Sequence, residues 1–169
     1  PEPCAYGTHA TSMRSAKCEP CAEGTYQNRL GSVNCAICIP GHVCSEGTAE
    51  PQPCLAGTYS GEEGLVNRSQ CLDCPLGFFC RERCSDPERC YAGRRGESSR
   101  LGDPLACTPC AEGTTSNAGS SRCDMCTSGN YELPQAARNA TIVCEACVEH
   151  ATCPTDNVTL RTLVVDEAH

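Results

Sequence analysis

Nineteen of the 169 residues are cysteine, and they recur in six Cys-x-x-Cys pairs: Cys18/Cys21, Cys35/Cys38, Cys71/Cys74, Cys107/Cys110, Cys123/Cys126 and Cys144/Cys147. Thiols at this spacing can do three kinds of chemistry. They can hold a tetrahedral zinc, exchange electrons as a redox dithiol, or close as structural disulfides. Cys18, Cys21, Cys35 and Cys38 have the separation of a zinc ribbon, and so do Cys107, Cys110, Cys123 and Cys126. The pairs Cys71/Cys74 and Cys144/Cys147 have no second pair at that separation, and Cys44, Cys54, Cys80 and Cys90 would be surplus thiols in a reducing compartment. A redox dithiol needs a βαβ setting and is normally single, whereas this motif is repeated six times. Asn-x-Ser/Thr acceptors stand at Asn67, Asn139 and Asn157, which places the chain on the secretory route. Disulfides are the reading these features share, with no metal and no cofactor.

No other catalytic set is present. The four histidines, His9, His42, His150 and His169, are scattered among loops and share no evident partner. Glu62/Glu63 and the DPER stretch lack the ordered ligand spacing of a calcium loop. The expectation is therefore a non-enzyme.

The elements that must position the cysteines follow from a second motif. Cys-x-x-Gly occurs eight times, ending at Gly7, Gly24, Gly41, Gly57, Gly77, Gly93, Gly113 and Gly129. Thr follows the glycine in four copies, and an aromatic stands two places after it at Tyr26, Tyr59, Phe79 and Tyr131. This predicts a tight turn at positive φ leading into a short strand whose aromatic lies over a nearby disulfide. Cys35, Cys38, Cys44 and Cys54 recur 36 residues on as Cys71, Cys74, Cys80 and Cys90, and Cys107 and Cys110 follow. One residue of slippage brings Cys144, Cys147 and Cys153 into register. Cys84, in RERCSDPERC, fits no copy and makes the total odd, so it is expected to be free or bonded to another chain.

Joining the cysteine before each turn to the first cysteine of the next pair gives Cys4 with Cys18, Cys21 with Cys35, Cys54 with Cys71, Cys90 with Cys107, Cys110 with Cys123 and Cys126 with Cys144. Cys38 with Cys44, Cys74 with Cys80 and Cys147 with Cys153 then close small loops. A crossed pairing, Cys35 with Cys44 and Cys38 with Cys54, satisfies the spacing equally.

Composition bounds the rest. Leu, Ile, Val and Phe make up only about a seventh of the chain and Trp is absent, so apolar burial cannot repay the ordering of the backbone. Gly, Pro, Ser and Thr interrupt every helical window. The fold expected is small and disulfide-rich: an elongated tandem array of short β-hairpin and loop units, with little helix and no common hydrophobic core, over residues 1–153. Residues 154–169 form a cysteine-free tail or linker whose VTLRTLVV run is strongly β-prone. That run is read either as an edge strand of its own unit or as a strand that pairs with the next molecule. A net charge of −8 opposes nucleic acid and anionic membrane surfaces, and no apolar run is long enough to span a bilayer. The start, close to a cysteine motif, is what a mature product or an excerpt of a longer protein would show.

CEPCAEGTYQNRLGSVNCAIC and the CAICIPGHVCSEGTAEPQPCLAGTYSGEEGLVNRSQCLDCPLGFFC that follows it resemble the ephrin-receptor-like cysteine-rich repeats of large extracellular and surface proteins. The likeness runs over roughly residues 1–153. It departs at Arg94/Arg95, which replace threonine and aromatic after Gly93, at His150, which stands where Gly would follow Cys147, and at Cys84. Tumour-necrosis-factor-receptor modules share the rod-like plan but carry a Cys-x2-Cys-x2-Cys that is absent here, and the Cys-x-x-Cys-rich variant surface proteins of parasites fit the glycine turn less well. The resemblance implies an extracellular or cell-surface structural or adhesive glycoprotein with protein partners. The one-dimensional repeat, the β-prone tail and the odd cysteine together suggest self-association into a fibre such as a flagellar hair or matrix filament. The alternative is a ligand-binding segment of a receptor ectodomain, with Arg94, Arg95 and Arg100 as its only local cluster of arginines.

Overall fold

Each Cys-x-x-Gly segment closes a turn on itself before it opens into a strand. In the computed structural model all eight turn glycines have φ between 72° and 86°, a region that costs an L-residue a Cβ clash and costs glycine nothing. The threonine after the glycine locks the turn twice. At Thr58 the backbone N–H donates to Leu55 O at 2.9 Å and the hydroxyl donates to the same oxygen at 2.7 Å; Thr8, Thr25 and Thr114 do the same to Ala5, Ala22 and Ala111. The structure describes residues 2–12, 17–133, 142–148, 151–153, 156, 158, 159, 164 and 165.

From each turn a short strand runs out and pairs antiparallel with the segment leading into the next turn. Thr8–Ala10 pairs with Cys18–Pro20, Thr25–Tyr26 with Ala36–Ile37, His42–Val43 with Gln52–Pro53, and Thr58–Tyr59 with Leu72–Asp73. Further along, Phe78–Phe79 pairs with Glu88–Arg89, Arg94–Arg95 with Thr108–Pro109, Thr114–Thr115 with Met125–Cys126, and Asn130–Glu132 with Cys144–Ala146. Among the described residues the helix is confined to two 3₁₀ turns, Arg68–Gln70 and Pro104–Ala106. No helix there is long and apolar enough to cross a membrane.

The register is constant with one exception. In most hairpins the residue after the turn glycine faces the residue just before the next turn's cysteine, as Thr25 faces Ile37 and Thr58 faces Asp73. After Gly113 it slips, and Thr114 faces Cys126 itself. The cause is loop length: Cys110–Cys123 closes over a separation of 13, where the other short loops, Cys4–Cys18 and Cys21–Cys35, close over 14. The substitution of Arg94/Arg95 for threonine and aromatic leaves its own turn unchanged, since Arg94 N still donates to Tyr91 O at 3.1 Å.

The chain divides into two compact units. The first comprises Pro1–Pro75, Phe79–Glu88 and Arg100–Asp103, and the second comprises Leu76–Phe78, Arg89–Ser99 and Pro104–His169. The first holds the bridges Cys4–Cys18, Cys21–Cys35, Cys38–Cys44, Cys54–Cys71 and Cys74–Cys80. The second holds Cys90–Cys107, Cys110–Cys123, Cys126–Cys144 and Cys147–Cys153. The pattern is the uncrossed one, in which Cys35 and Cys38 turn away from each other to different partners. Sulfur takes the place of an apolar core: Cys21, Cys38, Cys44, Cys54, Cys74, Cys80, Cys90, Cys107, Cys126 and Phe79 are fully buried, while Leu55, Leu72, Leu76 and Leu105 are exposed.

The β-prone tail is used inside its own unit. Val158–Thr159 lies parallel to Tyr131–Glu132, and Val164–Val165 lies antiparallel to Ala151–Thr152. This is the edge-strand reading of VTLRTLVV, and it corrects the expectation of a strand held out for another molecule.

Candidate functional site

The repeated geometry of the chain is a ladder of main-chain hydrogen bonds between successive turns. Within the first unit, Cys21 N donates to Gly7 O, Cys38 N to Gly24 O and Cys54 N to Gly41 O, at 2.8 to 2.9 Å. The glycine N–H reaches on to the following strand: Gly7 N to Gln27 O, Gly24 N to Cys44 O, Gly41 N to Ser60 O. The second unit repeats this at Gly77 and Gly93, whose N–H groups donate to Gly96 O and Ser116 O. Every rung is therefore made by backbone, and the side chains are left to the sulfur bridges and the surface.

A second set of left-handed residues completes the ladder, and sequence reasoning did not find it. Gly31, Gly47, Gly64, Arg83, Arg100 and Gly119 all have φ between 65° and 85°. Each donates its N–H to the carbonyl of a turn cysteine: Gly47 to Cys21, Gly64 to Cys38, Arg83 to Cys54, Arg100 to Cys74, Gly119 to Cys90. In the last five the residue's own carbonyl then points at the glycine of an earlier turn. A Cβ on Gly7 would lie 2.1 Å from Gly47 O, one on Gly24 2.5 Å from Gly64 O, and one on Gly41 2.4 Å from Arg83 O. Gly57 meets Arg100 O at 2.3 Å and Gly77 meets Gly119 O at 2.0 Å in the same way. These turns need glycine for φ and again for space; the recurring carbonyl over a Cα has the form of a Cα–H···O contact.

RERC, whose Cys84 fits no copy of the cysteine repeat, still follows the backbone ladder. Arg83 takes the left-handed position, and Cys84 O accepts from Ser60 N as Thr48 O accepts from Gln27 N. The Cys84 thiol stands outside the nine bridges, half-buried, and donates to Asp86 O at 3.1 Å. Burial pushes its pKa up, and the Glu88 charge adds to that.

At His9, Arg95 and Tyr131 the side chain two places after a turn glycine lies beside the disulfide of the next turn. Tyr131, nearly buried, packs with Cys147 and Cys153, and its hydroxyl donates to Glu145 Oε2 at 3.3 Å; burial and that carboxylate raise the phenol above its ordinary pKa. Phe79 is fully buried. His9 occupies the same position in the first repeat, and its Nδ1 lies 3.4 Å from Cys35 Sγ. His9, Cys21 and Cys35 bring three metal-ligand atoms within 4.8 Å of one another, but Cys21 and Cys35 are bonded to each other and offer no thiolate. The ribbon sets are likewise split, with Cys18 on Cys4 and Cys38 on Cys44.

The arginine cluster is occupied. Arg94 Nη1 donates to Cys107 O at 2.6 Å, Arg95 Nε to Glu97 Oε2 at 3.0 Å, and Arg100 Nε lies 3.4 Å from Asp73 Oδ1. Each of the three arginines, the cluster on which the receptor alternative rests, thus has a contact within the scaffold.

Asn67 is exposed and caps the 3₁₀ turn Arg68–Gln70. Its Oδ1 accepts from Ser69 N at 3.0 Å and from the Ser69 hydroxyl, while Gln70 Oε1 accepts from Asn67 N at 3.1 Å. Asn139, Asn157, His150 and His169 lie outside the described residues.

Residues 7–45, which hold the Cys21–Gly24 and Cys38–Gly41 turns and the glycine of the first, match the family described as tyrosine-protein kinase ephrin type A/B receptor-like. No curated protein matches the chain. The geometry found in that stretch, with its positive-φ glycine, its disulfide and the carbonyl over the glycine, recurs beyond it at Gly57 and Gly77. The chain is a cysteine-rich module of the extracellular type, and the family its first repeats resemble is non-catalytic.

Proposed function

We propose that this chain is a non-enzymatic structural and adhesive spacer within a secreted or cell-surface glycoprotein, carrying N-glycans at Asn67, Asn139 and Asn157. The observation that carries the reading is the backbone ladder. Within each unit successive turns are joined by main-chain hydrogen bonds, and bridges such as Cys21–Cys35 and Cys54–Cys71 tie a turn cysteine to the next cysteine pair, so geometry propagates from repeat to repeat without depending on any one surface side chain. Such a build suits a part whose task is to hold other parts apart, and it leaves the surface free to vary. The filament form of the reading loses its main support, because the β-prone tail strands are paired within the chain.

A force-clamp measurement on the oxidised chain, held by its two ends, tests the spacer reading. The chain should yield only the length outside its closed loops and lengthen further only after reductant is added. Full extension without reductant would show that the bridges do not bear load and would end the proposal.

A further inference from the structure

The acceptor sequence Asn67-Arg68-Ser69 lies within the loop that Cys54–Cys71 closes, just short of the closing cysteine. Its surface is open, since Asn67, Arg68, Ser69 and Gln70 are all exposed. Its geometry is closed. The Ser69 hydroxyl and the Ser69 N–H both donate to Asn67 Oδ1, the latter at 3.0 Å, so the two side chains that define the acceptor are joined to each other within a tight 3₁₀ turn. Gln70 Oε1 reaches back to accept from Val66 N at 2.7 Å and Asn67 N at 3.1 Å, and Arg68 Nη2 donates to Gln52 Oε1 at 3.3 Å. The chain is also pinned on both sides of the turn. Before it, Leu65 is buried, its carbonyl accepts from Cys44 N at 2.8 Å, and Gly64 N donates to Cys38 O at 2.8 Å. After it, Cys71 N donates to Arg68 O at 3.2 Å, the Cys71 sulfur is bonded to Cys54, and Leu72 pairs with Tyr59.

An enzyme that reads a short peptide sequence binds it extended in a groove and makes its own contacts to the side chains it selects. Drawing Asn67 and Ser69 into such a groove would undo the capping box, pull Leu65 from its buried place and strain against the Cys54–Cys71 bridge, which does not open without reduction. A chain whose bridge is still open meets no such covalent stop. We propose that Asn67 is a glycan acceptor only until Cys54–Cys71 closes, so that formation of this bridge ends transfer at the site; the inference rests on the reading of Asn67 as glycosylated. In the open chain Asn67 Nδ2 attacks C1 of a sugar carried on a lipid pyrophosphate. The new C–N bond forms, the C1–O bond breaks with its electron pair leaving on the pyrophosphate, and the amide nitrogen loses one proton to solvent. Oδ1 takes no part in the bond made, so the finished glycan still permits the cap, and the turn closes around the modified residue. Occupancy at Asn67 thus records, molecule by molecule, whether transfer or bridge closure came first.

The test uses the full chain without glycans, either oxidised or reduced and alkylated, incubated with an oligosaccharyltransferase and a lipid-pyrophosphate oligosaccharide. A short acceptor peptide in every tube verifies the enzyme, and glycosidase release in heavy-oxygen water followed by peptide mass mapping reads Asn67. The reduced chain should be modified at least about tenfold faster than the oxidised one, because only the opened fraction of the latter can enter the enzyme. Cys54→Ser/Cys71→Ser, oxidised and mapped to verify that the other bridges are closed, should recover to within about threefold of the reduced chain. An oxidised parent within about twofold of the reduced chain overturns the ordering while leaving Asn67 an acceptor. A double variant as inert as the oxidised parent overturns it too, since the bridge would then not be the lock. No transfer to Asn67 in the reduced chain overturns the glycan reading of this residue and the proposal with it.

Discussion

At the scale of the residue, two demands meet on the turn glycines, and they can be separated. Gly57 has φ +86° and a carbonyl, Arg100 O, 2.3 Å from where a Cβ would stand; Gly129 has φ +81° and, among the described residues, nothing within 4 Å of that point. Gly129→Ala should therefore cost only the left-handed penalty, about 1–2 kcal/mol. Gly57→Ala adds a clash with main chain that no side-chain rotation relieves and should cost roughly 3 kcal/mol or more. Denaturant unfolding of the two oxidised variants measures the difference; equal losses would mean that the carbonyl approach carries no energetic weight. Arg83 and Arg100 show the complementary case. At these positions the ladder needs the left-handed backbone but leaves room for a side chain, and arginine is tolerated where its N–H still reaches Cys54 O or Cys74 O.

At the scale of the element, the 3₁₀ turn after Asn67 joins a structural role to a modification motif on one side chain. The cap is made by Asn67 Oδ1, whereas an N-glycan attaches to the amide nitrogen, so the two uses do not compete. Asn67→Asp should keep the cap and lose the glycan, while Asn67→Ala should lose both, with a cost of about 1 kcal/mol. Thermal unfolding of deglycosylated material, together with the glycosidase-sensitive mass of the secreted chain, reads the two effects independently; an aspartate variant as unstable as the alanine one would remove Oδ1 from the cap. The hairpins themselves were legible in sequence because their signal is local: a glycine at fixed distance from a cysteine sets the turn, and the next cysteine pair sets the end of the returning strand. The left-handed set was not legible. Gly47 and Gly64 look like ordinary loop glycines, two of the six positions hold arginine, and their distance from the turn changes with loop length, as between Gly24 and Gly47 or Gly57 and Arg83. His9 could have been found by aligning the first repeat on Gly7, which puts the ring where Tyr26, Tyr59 and Phe79 stand. The slip after Gly113 has a visible cause in the shorter Cys110–Cys123 loop, but only the backbone tells whether a missing residue is absorbed by the loop or by the register.

At the scale of the whole molecule, stability must come from cross-linking, because little else is available to supply it. Cys38–Cys44, with a separation of 6, and Cys54–Cys71, with a separation of 17, restrict the unfolded chain by roughly 2.4 and 3.2 kcal/mol in the loop-entropy model. Repeated over nine bridges, that restriction replaces the apolar burial that so few Leu, Ile, Val and Phe residues cannot provide. The main-chain rungs each join nearby repeats, so the backbone topology is local and cheap to close, and the slow events of folding are the formation and reshuffling of bridges. A chelator alone should then leave the circular dichroism and thermal transition of the native chain unchanged. An excess of strong reductant should abolish the transition, and reoxidation should restore it over the minutes to hours of disulfide exchange. Before reduction, an alkylating agent under denaturing conditions should modify Cys84 and no other cysteine. Unfolding by the chelator, or uptake of several alkyl groups by the unreduced chain, would mean that the sulfurs hold metal and that the ladder rests on a different foundation.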